Sequence, residues 1–197
     1  NDLNISKNTH IQKTQNFLIK NNVKLELNNG AILYVEGNIV FEGTRENKIY
    51  IKSDGTGSII FNNNHVRIEH TEVNNLGHPK LDQFILYGGL NFINANVVLK
   101  NVSIQNSKNE DALNLINSKT YLKNISLKNI QSDAIDIDFG TMNFTKIICL
   151  NVKNDCLDLS GAKTDGSILN VDSVNDKGLS AGENSEVNII DLIMENS

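Results

Sequence analysis

From Val23 onward, apolar and polar residues alternate in short runs, and each run stops at a turn rich in Gly and Asn. Val23, Leu25 and Leu27 lead to Asn28-Asn29-Gly30. Ala31, Leu33 and Val35 lead to Glu36-Gly37-Asn38. Ile39-Val40-Phe41 and Ile49-Tyr50-Ile51 flank Glu42-Gly43-Thr44, and Asp54-Gly55-Thr56-Gly57 leads into Ile59-Ile60-Phe61. Period-two alternation bounded by turn formers predicts strands with one side turned inward. Residues 1–20 are less regular. Leu3, Ile5, Ile11, Phe17, Leu18 and Ile19 keep neither a helical nor a strand period, and a first coil or its cap is expected there.

The second half of the chain repeats itself. Asn-Glu-Asp-Ala-Leu-Asn-Leu starts at Asn109, Gln-Ser-Asp-Ala-Ile-Asp-Ile at Gln131, Lys-Asn-Asp-Cys-Leu-Asp-Leu at Lys153 and Val-Asn-Asp-Lys-Gly-Leu-Ser at Val174. The aspartates fall at 111, 133, 155 and 176. A set of asparagines, Asn106, Asn129, Asn151 and Asn175, keeps step with them. So do two apolar sets: Val102, Ile125, Ile147 and Val171, and Ile104, Leu127, Cys149 and Ser173. A period near twenty built from short strands and polar turns predicts an all-β chain, a right-handed parallel β-helix with coils of about 21–24 residues. The Leu-x-x-Leu-x-Leu framework and intervening helix of leucine-rich repeats are missing. Stacking would set Leu113 and Leu115 over Ile135 and Ile137, and these over Leu157 and Leu159. Asparagines in equivalent turns would bond from coil to coil.

Stacking also lines up polar residues. One expected column is outward-facing: Asn91, Asn114, Asp136 and Asp158. A second, at the strand entrance, holds Asp111, Asp133, Asp155 and Asp176, with Glu110, Asp138 and Glu183 beside it. Adjacent coils are about 4.8 Å apart, so carboxylates in a column repel unless a cation, a retained proton or a turn amide compensates. The expected metal set is Asp136, Asp138 and Asp158, with Ca²⁺ as the ion. Asn114, Asp136, Asp158 and Glu183 are the expected glycan contacts.

Composition narrows the classes. The formal net charge of −5, with no basic run and no aromatic-basic interleaving, argues against nucleic acid or an anionic membrane as the main partner. No apolar stretch is long enough to span a bilayer. The first residue is Asn1 rather than Met, without a signal-peptide pattern, so a processed or trimmed form is expected. The two cysteines, Cys149 and Cys156, read as small buried thiols in consecutive coils rather than as a disulfide or metal pair. A loop leaving the solenoid is expected at 74–82, which contains the single proline, Pro79. His70 and His78 bracket it near Glu69 and Glu72, at a spacing that matches no zinc signature. The apolar run Val187 to Met194 closes the sequence without a polar cap, so further chain or another subunit is expected to cover that end.

Gly30-Ala31-Ile32-Leu33 and Gly43-Thr44-Arg45-Glu46-Asn47-Lys48-Ile49-Tyr50-Ile51 resemble the opening of surface-exposed right-handed β-helix proteins of the pectin-lyase-like superfamily. Gln131-Ser132-Asp133-Ala134-Ile135-Asp136, Lys153-Asn154-Asp155-Cys156 and Asp176-Lys177-Gly178 resemble the successive Asn-Thr-Asp-Gly-x-Asp, Gly-Asp-Asp-Cys and Gly-His-Gly motifs of polygalacturonases. That resemblance implies Asp133 and Asp155 as catalytic carboxylates. It also puts Asn154 where the family has its proton-donating acid and Lys177 where it has histidine. A likeness to pectate lyases instead implies an acidic column holding Ca²⁺ against a uronate, with Lys177 as the proton-abstracting base. The expectation carried forward is a secreted or cell-surface, carbohydrate-associated domain that binds polysaccharide along its acidic face. A polysaccharide hydrolase or lyase and a structural stalk are the alternatives.

Overall fold

The computed structural model of the chain describes residues 2–77 and 87–196. These residues form strands and turns, with no helix among them, stacked in parallel as a β-solenoid of about eight turns. One sheet carries Ser58–Asn62, Gly88–Ile93, Asp111–Ile116, Asp133–Asp138 and Leu157–Ser160, each bonded to its equivalent one turn on. The other carries the long strands His65–Asn74, Asn96–Gln105, Lys119–Ile130, Thr141–Val152, Lys163–Val174 and Glu186–Glu195. His70, Asn101 and Asn124, at φ of 45°, 53° and 54°, bend three of these mid-way, so a turn presents three straight segments. The irregular opening is a coil as well: Asp2–Ile5, Thr9–Ile11 and Asn16–Lys20 pair with Lys24–Leu27, Leu33–Val35 and Asn38–Glu42. Residues 78–82 of the expected loop, with His78 and Pro79, lie outside the described residues.

Turn chemistry explains the asparagines. The corner residues Asn106, Asn129 and Asn151 sit at φ of 56°, 55° and 56°, the left-handed region that Asn tolerates better than most side chains. Asn106 Nδ2 donates to Asn74 Oδ1 at 2.9 Å, Asn129 to Asn106 at 3.0 Å and Asn151 to Asn129 at 2.8 Å. Shorter ladders run from Asn117 to Asn94 at 2.7 Å and from Asn124 to Asn101 at 2.9 Å. Inside, Leu113, Ile135 and Leu157 stack in register and are fully buried, as are Leu115, Ile137 and Leu159. Phe61 and Phe92 stack with ring centroids 4.7 Å apart.

The fourth repeat departs from the expected frame. Leu169 and Val171, not Val171 and Ser173, continue the apolar columns, and Ser173 at φ 58° takes the corner expected for Asn175. At the strand entrance Lys177, not Asp176, follows Asp155, because the Lys177 amide donates to Asp155 Oδ1. The pair Asn175-Asp176 imitates Asn154-Asp155 in letters but sits one residue early in the coil.

The cysteines also correct the expectation: Cys149 and Cys156 form a disulfide, with Cα atoms 5.9 Å apart. They lie within one turn rather than in consecutive coils, Cys149 on Thr141–Val152 and Cys156 just before Leu157–Ser160. Cys149 points inward from Thr141–Val152, and the short corner at 153–155 carries Cys156 back against it.

Candidate functional site

The site is built on the sheet face of Asp111–Ile116, Asp133–Asp138 and Leu157–Ser160. Register places Asn91, Asn114, Asp136, Asp158 and Ser180 in one row. A parallel row holds Ile116, Asp138, Ser160 and Gly182. The expected stacking is therefore present, but its exposure is uneven. Asn91 and Asn114 are buried, where solvent-facing side chains were expected. Asn91 is consumed by turn bonds: its Oδ1 accepts from the Gly88 amide at 3.0 Å and its Nδ2 donates to Gly88 O at 2.7 Å. Asn114 Nδ2 donates to Asp111 Oδ2 at 2.8 Å. Asp136, Asp138 and Asp158 are half-buried and Glu183 is exposed.

The entrance column is stabilised by amides. Asp133 Oδ1 accepts from the Asp155 amide at 2.7 Å and from Asn154 Nδ2 at 2.8 Å, and Asp155 Oδ1 accepts from the Lys177 amide at 2.8 Å. Each carboxylate thus clamps the coil above it, and both are buried. Lys177 Nζ lies 2.6 Å from Asp176 Oδ2 and 3.5 Å from Asp155 Oδ2. Its bond to Asp176, with Asp155 close by, holds its pKa above the ordinary lysine value, so it stays an ammonium.

Electrostatics separates the remaining acids from this arrangement. Burial, the nearby Asp138 and Asp158 charges and that of Asp133 push Asp136 up to about 7. Burial and the Asp136 charge push Asp111 up to about 8, with Asp133 and Glu110 adding to the shift and the Asn114 bond opposing it. Burial, then Glu183 and Asp158, raise Asp138. No basic side chain pairs with Asp136, Asp138, Asp158 or Glu183 among the described residues.

Phe139, which sequence reasoning passed over, closes this face. It follows Asp138 at φ 54° in a corner held in other coils by Asn63, Asn94, Asn117, Gly161 and Glu183. It is 63% exposed. Its ring lies across Gly161, where an added Cβ would come within 2.8 Å of Phe139 Cδ1. The available signal was that Phe139 is the one large apolar residue in a corner column of Asn, Gly and Glu183.

Calcium is an imperfect fit. Carboxylate oxygens suit the ion, but Ca²⁺ takes about six to eight oxygens. Among the described residues no three His, Cys, Asp or Glu side chains converge to hold a metal. Near the expected loop, Glu69 pairs with Arg67 and Lys100, Glu72 pairs with Lys48, and His70 contacts Asn101.

The fold and face together define a parallel β-solenoid with an acidic, aromatic-edged surface. No known family profile matches the chain, nor does any curated protein or solved structure.

Proposed function

We propose that the chain is a right-handed β-helix that holds polysaccharide along the face of Asp136, Asp138, Asp158 and Glu183, with Phe139 as its stacking platform. One observation carries the reading: registered carboxylates without basic partners stand beside an exposed aromatic ring in a left-handed corner. Carboxylates accept hydrogen bonds from sugar hydroxyls, and an aromatic face packs against the C–H face of a pyranose. Rows repeating at about 4.8 Å suit a polymer lying along the solenoid. Were Ca²⁺ to serve a uronate ligand, Asp136, Asp138 and Asp158 would be the residues to hold it, and its charge would offset that of the sugar carboxylate. The disulfide supports an oxidising compartment and hence a secreted or cell-surface protein.

Hydrolysis or elimination is the poorer reading. An inverting hydrolase needs one free acid and one free base around a water, whereas Asp133 and Asp155 are committed to backbone amides. A proton-abstracting lysine needs a lowered pKa, and that of Lys177 is raised.

Thermal shift and calorimetry with neutral and uronate oligosaccharides, with and without Ca²⁺, test the proposal. Stabilisation is expected in the wild type and should disappear in Asp136→Asn/Asp158→Asn. If no glycan stabilises the wild type, or the double variant responds equally, the reading fails.

A further inference from the structure

One part of the outer surface of the second sheet is locally basic. In Lys119–Ile130, Lys119, Tyr121 and Lys123 alternate with the buried Thr120 and Leu122, so the three share the solvent side. Because Thr120 and Leu122 interrupt them, the sequence shows no basic run, and the face becomes visible only once the strand is formed. Register sets Asn96 against Lys119, Val98 against Tyr121 and Lys100 against Lys123, with Arg67 beyond Val98. On the other side Thr141 and Asn143 lie against Lys119 and Tyr121 and contribute no charge. Tyr121 is 37% exposed.

One feature sets this patch apart from ordinary solvated lysines. Lys100 and Lys123 are stacked in register on adjacent strands, an arrangement that costs free energy unless anions sit between the charges. Lys119 and Lys123 have no acidic group within 4 Å among the described residues, a state they share with scattered lysines such as Lys7, Lys24 and Lys128. Glu69, the one carboxylate here, is already shared by Arg67 at 2.9 Å and Lys100 at 3.1 Å. Both cations favour its charged form, and its pKa is lowered despite the burial that opposes this.

We propose that Lys119, Tyr121 and Lys123, with Lys100 and Arg67, form a second docking surface, for an anionic polysaccharide. The flat sheet offers cations at strand spacing and a phenol ring on which a sugar can stack, and it binds carboxylate or sulfate groups directly, without a metal. The chain's net charge of −5 and the acidic rows on the neighbouring sheet disfavour a densely charged nucleic acid. This inference is independent of the acidic face: it needs no Ca²⁺, and it survives if that face binds nothing.

The probe is alginate in EDTA at low salt, measured by calorimetry on the whole chain, with duplex DNA and neutral dextran as comparisons. Alginate binding is expected to depend on the lysines, and any dextran binding is expected not to. Alginate binding should weaken about tenfold in Lys119→Glu/Lys123→Glu, weaken in Tyr121→Ala, and stay unchanged in Lys7→Gln, an exposed lysine of the first coil away from the patch. Unchanged melting temperatures in Lys119→Gln/Lys123→Gln, with affinity still reduced, exclude a folding defect. Absence of alginate binding, equal binding by the lysine variants, or DNA binding as tight as alginate would overturn the proposal.

Discussion

Asp111 is the residue whose protonation couples most directly to folding. Its pKa rises from 3.8 to about 8 in the folded chain, and Asp136 rises from 3.8 to about 7. The folded state therefore binds protons that the unfolded state has released. The stability these groups contribute is fully present below their unfolded values and is lost as pH rises through the folded ones. Melting temperature should fall between pH 5 and pH 8, and Asp111→Asn should flatten that fall by raising stability at pH 8 more than at pH 5. An unchanged pH profile in the variant would contradict the assignment. Phe139 gives a second test at this scale. A bulky side chain in the left-handed region costs about 1–2 kcal/mol, so Phe139→Gly should leave stability equal or raise it by about 1 kcal/mol while glycan affinity falls. A variant losing both would make Phe139 a packing residue.

At the scale of the element, the corners and the disulfide hold the coils together. Asn129 donates to Asn106 and accepts from Asn151 at a φ of 55°. Asn129→Ala removes both bonds and leaves alanine in a poor conformation, for an expected loss of about 1–3 kcal/mol in urea unfolding. Asn129→Gly, which keeps the backbone freedom, should lose less. The disulfide closes a short loop, and Cys149→Ala/Cys156→Ala is expected to cost about 2–3 kcal/mol. Both cysteines are fully buried, so reductant should open the bond only once the chain unfolds, which thiol labelling against urea will show.

These elements also mark what could be read in advance. Leu113, Ile135 and Leu157 declared their stacking because spacing and alternation agreed. The fourth coil misled because Asn175-Asp176 matched by identity while the backbone frame had moved by one residue. The cysteines misled because their separation of seven spans a corner whose geometry alternation does not encode. The acidic rows were legible in register. The burial of Asn91 and Asn114 was not, since cover is a property of neighbouring chain rather than of the strand itself.

Across the whole molecule the two sheets differ: the one with Asp133–Asp138 presents rows of carboxylates, while the one with Lys119–Ile130 presents both signs, with Lys100, Lys119 and Lys123 clustered beside Arg67. Each coil bonds mainly to its neighbours, so stability is cooperative in the middle and weaker toward coils with one neighbour. Hydrogen exchange should be slowest at Leu113, Leu115, Ile135 and Ile137, which are fully buried, and fastest along Asp2–Ile5 and Glu186–Glu195. Uniform protection along the chain would contradict a nearest-neighbour solenoid.

Asp111 pairs with Asp133 and Leu113 with Ile135, 22 positions apart in each case. Excising residues 113–134 would join Ala112 to Ile135, the same junction that Ala134 already makes. A gene losing or duplicating that segment in frame would give a shorter or taller molecule whose rungs still meet, so length in such a chain can drift by whole steps while its cross-section stays the same.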